Sequence, residues 1–120
     1  MPKTAAGFNR DFKALKKDAT NQLAYLKRIP VATLKGYFVK TELETETFSE
    51  ILRTLSEKVS GAEDAKWAHT FMINMSKAFK FDMTIMFIED EEIDYISSIV
   101  SKIRTVDATK ADEVKAAYDD

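Results

Sequence analysis

Lys80-Phe81-Asp82-Met83-Thr84-Ile85-Met86-Phe87-Ile88 is the stretch on which the reading of this chain turns. From Phe81 onward it is nearly all apolar, which suits either a buried strand or a buried helical segment. A strand would need partners, because a lone strand leaves its backbone groups unpaired. Nothing else in the 120 residues reads as a partner strand. The segment is therefore expected to be helical and the fold all-α. One face of a short helix cannot hide this many apolar side chains, so part of the set is expected to remain exposed as a patch open to a partner.

Helical periodicity extends in both directions from that segment. Downstream, Asp90 to Asp94 makes an acidic start for a helix bearing Ile93, Ile96, Ile99, Val100 and Ile103. Acidic side chains there suit the positive end of the helix dipole. A last, weak helix is expected from Ala108 to Tyr118, with Ala111, Val114 and Tyr118 on one side, and it is expected to fray. Upstream, Glu63 and Asp64 open a helix whose apolar stripe runs from Trp67 to Phe79, wide enough to place it near the centre of a bundle. Before it, Phe48, Ile51, Leu52, Leu55 and Val59 show the cleanest helical spacing in the chain. Thr45 or Thr47 is expected to cap that helix, Thr45 fitting better, and Gly61 to follow it as a left-handed C′ residue. Leu34, Tyr37 and Phe38 make a short turn weakened by Gly36. Asp18 is expected to cap a helix carrying Leu23, Tyr25, Leu26 and Ile29, which Pro30 stops. Phe8, Phe12 and Leu15 share the face of the first helix. The expectation is a compact single-domain bundle of about seven short helices joined by short loops. Residues 8–118 would form the domain and residues 1–7 a flexible tail.

Composition narrows the chemistry. With 3 glycines, 2 prolines and 32% charged residues, the chain has little turn chemistry for an all-β fold and is too apolar, at 45%, for a disordered one. There is no cysteine, hence no disulfide, thiolate zinc site or cysteine nucleophile, which suits a reducing cytosol or nucleus. No run is apolar and long enough for a membrane span, and the first residues lack the apolar core of a secretory signal. Residues 1–60 carry 11 Lys/Arg against 7 Asp/Glu, whereas residues 61–120 carry 7 against 13. That imbalance fits solvated helix faces or a protein partner of complementary charge better than nucleic acid, which would select a basic chain.

Catalytic and metal constellations are also missing. His69 is the one histidine and should sit as an ordinary residue at the polar edge of the Trp67 helix. Glu89-Asp90-Glu91-Glu92 with Asp94 lacks the alternating ligands and glycine of a calcium loop, and an acidic helix start explains it. Gly7, Gly36 and Gly61 are too far apart to make a phosphate loop. The expectation is no enzyme, no catalytic residue, no metal and no cofactor. Met72, Met75, Met83 and Met86, flanked by Phe71, Phe79, Phe81 and Phe87, could fill a core or form an adaptable binding surface.

Four landmarks, in order, carry a resemblance. They are Phe8-Asn9-Arg10-Asp11-Phe12; Ile29-Pro30 followed by Leu34 and Phe38; Phe48-Ser49-Glu50-Ile51-Leu52; and Lys80-Phe81-Asp82-Met83. Over residues 8–118 the chain resembles the domain family found at the C-terminus of RNA polymerase II-associated protein 3 and in sperm-associated antigen 1 and related co-chaperone adaptors. Phe12 stands where the family often has tryptophan, and Lys80 where it often has arginine.

The resemblance implies an all-helical module that docks onto the RuvB-like AAA+ ATPases. It would belong to a longer protein whose upstream tetratricopeptide repeats recruit HSP90 and HSP70, so that large complexes are assembled in the cytoplasm, or in the nucleus as well. A WD-repeat protein of the Monad type is the alternative partner, with axonemal dynein assembly as its setting. A small helical enzyme or ligand-binding protein, with a cavity beneath Trp67 and the Met/Phe cluster, is the reading from another class. By resemblance the partner-binding residues are Lys80, Asp82 and Met83, then Met86, with Phe8 and Phe12 near them, although core packing is the favoured reading for Phe12. Neither nucleic acid nor membrane is an expected partner.

Overall fold

The computed structural model describes residues 2–119, which form eight helices in order. These are α1 (Ala5–Ala14), α2 (Ala19–Arg28), α3 (Val31–Tyr37) and α4 (Thr45–Lys58), then α5 (Gly61–Met75), α6 (Phe81–Met86), α7 (Asp90–Arg104) and α8 (Ala108–Ala117). No strand occurs among the described residues. The all-α expectation holds, with one helix more than the sequence reading counted.

Local chemistry sets most of the boundaries. Thr4 caps α1 by accepting from the Gly7 N–H at 3.1 Å, so the first helix starts at Ala5, inside the stretch expected as a tail. Asp18 caps α2 as expected, accepting from the Asn21 N–H at 3.0 Å. Ile29 leaves the helical region with ψ 119°, and Pro30 then opens α3. Neither Thr45 nor Thr47, the alternatives expected to cap α4, does so. Glu44 takes the cap position without a side-chain bond, and Thr47 is fully buried. Gly61 does have a positive φ, +83°, but it stands at the start of α5 rather than next to the end of α4. For α7 the start is a reciprocal capping box of Glu89 and Glu92. Two members of the acidic run, Glu89 and Glu92, are engaged in this way.

Two groups of aromatic rings hold the bundle together. Phe8 is the hub of the first: its ring centroid lies 5.7 Å from Phe12, 6.0 Å from Tyr25, 5.8 Å from Tyr37 and 5.9 Å from Phe38. It thereby joins α1, α2 and α3. The second group is Phe48, Phe81 and Tyr118, at 5.8 Å, 6.3 Å and 5.2 Å from one another, joining α4, α6 and the end of α8. Ile51, Leu52, Leu55, Met72 and Ile99 fill the space between, all without solvent exposure.

Helix α8 is not the frayed end that its weak pattern predicts. Ala111 and Val114 are fully buried, and the Tyr118 hydroxyl donates to the Met72 carbonyl of α5 at 2.7 Å. Burial pushes the Tyr118 phenol well above its ordinary pKa. A lysine braces the other side of the bundle: Lys102 of α7 donates to the Val59 carbonyl at 2.9 Å and also to the Ser56 carbonyl. The cation thus sits at the negative end of α4.

Asp64 locks the start of α5. It pairs with Lys27 of α2 and accepts from the Ser60 N–H at 3.0 Å. The Lys27 bond, helped by the Ser60 N–H and opposed by burial, holds its carboxyl below the ordinary carboxylate range. A depressed pKa contributes stability that is present at neutral pH and is lost as pH falls through the folded value. Asp64→Asn is therefore expected to cost up to about 1 kcal/mol at neutral pH. Urea unfolding at falling pH should show a shallower acid limb for the variant than for the parent. An unchanged limb would assign the acid sensitivity to other carboxylates.

Candidate protein-interaction site

The run that opened the sequence reading is a helix with two apolar faces. On α6, Phe81, Thr84 and Ile85 are buried at i, i+3 and i+4. Met83, Met86 and Phe87 stand at the same spacing on the other side, 46%, 64% and 65% exposed. Asp82 is exposed beside them. An exposed face with two methionines and a phenylalanine is adaptable as well as apolar, a combination suited to protein contact.

Lys80 starts this helix in a strained conformation. Its φ of 56° and ψ of 35° are left-handed, and among the described residues no other non-glycine residue has a positive φ. The turn lies in the link between α5, which ends at Met75, earlier than its apolar stripe predicts, and α6. Phe79, expected on the α5 stripe, is instead 40% exposed, and its N–H donates to the Phe38 carbonyl at 2.7 Å. The Lys80 ammonium lies 5.3 Å over the Phe79 ring and 3.5 Å from Glu42, a pair too exposed to contribute much. A left-handed residue with a Cβ costs roughly 1–2 kcal/mol, part of which glycine's larger unfolded entropy offsets. Lys80→Gly is expected to raise stability by about 0.5–1 kcal/mol while removing the cation from the site. A urea midpoint below that of the parent would contradict this.

Phe8 and Phe12 do not belong to the surface. Both are fully buried, and the expectation that they border the interface is corrected. The aromatic pair with its aspartate is a packing device. The two rings stack at i and i+4, and Asp11 accepts from the Tyr25 hydroxyl at 3.3 Å. Burial, with Asp11 second, raises the Tyr25 pKa.

The four clustered methionines divide evenly. Met72 and Met75 are core, Met83 and Met86 surface. His69 is less exposed than expected, its side chain only 16% so, and it lies 3.2 Å from Glu113 between α5 and α8. Trp67 packs on Phe71 at 5.0 Å between ring centroids. A groove of about 500 Å³ lies between α6, α7 and the end of α8, with Met86 of the Met/Phe cluster in its lining.

Fold and surface together define a helical protein-interaction domain. A family model described as "Potential Monad-binding region of RPAP3" matches residues 1–93, and the chain belongs to that family. RNA polymerase II-associated protein 3 of Xenopus laevis is 28% identical over 92 residues, which are 77% of this chain and 14% of that protein. The chain thus spans about one seventh of that relative's length. The NMR structure of the C-terminal domain of the human RPAP3 protein shares the fold, with a TM-score of 0.86 at 22% identity, covering 100% of this chain and 90% of that one. The shared fold includes α7 and α8, most of which lie beyond the last residue that the family model matches.

Proposed function

We propose that this domain docks onto RuvB-like AAA+ ATPases through the exposed face of α6 and so acts as an adaptor in the assembly of macromolecular complexes. The observation that carries the proposal is the apolar face of Met83, Met86 and Phe87 beside Lys80 and Asp82. The family resemblance implies contact at this segment, and its side chains are free to make it. Chaperone recruitment through tetratricopeptide repeats belongs to the same proposal and would lie in other parts of a longer protein.

A second reading has its own support. The family description names a Monad-binding region, and the matched residues contain the whole of α6. A WD-repeat protein of that type would then occupy the same face. Calorimetric titration of the domain into purified RuvB-like hetero-hexamer, and separately into a Monad-type WD-repeat protein, decides between them. Saturable binding to the hexamer supports the first reading. Binding to the WD-repeat protein alone replaces it with the second, and binding to neither by a folded domain removes both.

A further inference from the structure

The groove between α6, α7 and α8 is a second surface, separate from the Lys80–Asp82–Met83 face. Its base is apolar and fixed: Ile96, Val100 and Tyr118 are at most 9% exposed. Met86 and Ile93, 64% and 48% exposed, stand at one end. Along α7 the border runs from Ile93 to Arg104, about 16 Å at helical rise, the length of three helical turns. Ser97 and Ser101 lie one turn apart on that border, both exposed. Small residues at that spacing leave room for a second helix to approach closely.

Charge indicates what the groove would hold. Residues 61–120 carry 13 Asp/Glu against 7 Lys/Arg. The groove does not share that acidic excess: counting Asp112, which pairs with Arg104, it has two cations against two carboxylates among the described residues. It is bordered by the cations Arg104 and Lys115 and, among the described residues, by one carboxylate, Asp119. Arg104 is held in place by Asp112 at 2.7 Å. An apolar trough three turns long, with Lys115 and Arg104 on its border in an otherwise acidic half of the chain, offers its cations to an amphipathic helix bearing acidic side chains.

We infer that the α6–α7–α8 groove binds an amphipathic acidic helix of a partner protein, with its apolar face on Ile96, Val100 and Tyr118 and its carboxylates toward Lys115 and Arg104. This goes beyond docking through α6 and gives the adaptor a second binding surface that meets the first at Met86.

The test uses synthetic helical peptides of about 12 residues, three turns with leucine at helical spacing. One carries glutamate on its flanks, one carries lysine there, and one is the glutamate peptide with its leucines scrambled. Titration into isotope-labelled domain should move the amide signals of Ser97, Ser101 and Lys115 with the glutamate peptide. The other two peptides should bind more weakly. Lys115→Glu should weaken the glutamate peptide by up to roughly fivefold, as for a partly exposed ion pair. Ser97→Trp, a change at an exposed position, should block the groove and abolish binding. Met83→Glu should leave peptide affinity unchanged, which separates this site from the α6 face. The proposal is overturned if the folded domain does not bind the glutamate peptide. Equal affinity for the lysine peptide, or shifts confined to α6, would also overturn it. Concentration-dependent movement of the same signals without peptide would assign the groove to a second copy of the chain instead.

Discussion

Phe48→Ala is expected to destabilise the domain by about 3–5 kcal/mol, the upper range for removing a buried aromatic ring. For a chain of this size that corresponds to a melting temperature lower by roughly 10–20 °C. Phe48 has no solvent exposure and meets Phe81 edge-on at 5.8 Å and Tyr118 face-on at 6.3 Å. The vacated volume lies among three helices whose backbones are held by other contacts, so collapse into it is limited. Phe81 opens α6, so the same change should loosen the candidate interface. Urea unfolding gives the stability. A loss below about 1.5 kcal/mol would mean that neighbouring side chains refill the site more completely than their packing implies.

Met83→Glu is expected to have the largest effect on binding and almost none on the fold. The side chain is 46% exposed, so a carboxylate there remains hydrated in the free domain and stability should change by no more than about 0.5 kcal/mol. In the complex the same carboxylate would be buried against a partner that expects a thioether. A central interface residue is worth about 2 kcal/mol or more, which is a loss of roughly thirtyfold or greater in affinity. Lys80→Ala, which removes an exposed charge, should cost much less. Circular dichroism and thermal melting verify the fold, and calorimetry against the RuvB-like hexamer reads the affinity. Unchanged affinity in the folded variant would move the interface away from α6.

Periodic burial is what a sequence records best, and it located most of this fold. Phe48, Ile51, Leu52, Leu55 and Val59 repeat at helical spacing because all of them face the core, and all are buried. Asp18 and Pro30 act on their own neighbours, so the boundaries they set were equally readable. Features that arise between distant segments were not. Nothing local in α8 announces that Tyr118 will reach the Met72 carbonyl, so its short, alanine-rich pattern looked weak. The left-handed turn at Lys80 carries no glycine to mark it, and α5 was read too long for that reason. Gln22 is fully buried on α2, although its side chain predicts exposure.

The candidate site was legible in part. An apolar excess on a short helix foretold an exposed face, and α6 shows one at Met83, Met86 and Phe87. Which methionines would be outside was not readable, since Met72, Met75, Met83 and Met86 differ in surroundings rather than in chemistry. For Phe12 the favoured reading, core packing, matches its full burial, and only the resemblance set it and Phe8 near the interface, because a landmark shared with a family marks packing as readily as contact. The groove beside α7 left no sequence signal, being assembled from three elements.

The bond between Tyr118 and Met72, with the Phe48–Phe81–Tyr118 ring group, has a consequence for how the chain is made. A nascent chain that has grown only to Arg104 has every helix but α8, and one side of Phe48 and Phe81 is still uncovered. Fourteen further residues, Thr105 to Tyr118, bring the missing ring. At about 5–20 residues per second their synthesis takes on the order of a second. Chains stopped at Arg104 should accordingly be digested by a protease at sites that the full chain protects, and equal resistance would refute the point. Vectorial synthesis is thus expected to leave the Phe48–Phe81 ring pair open until Tyr118 is added, whereas the Phe8 group needs no residue beyond Phe38.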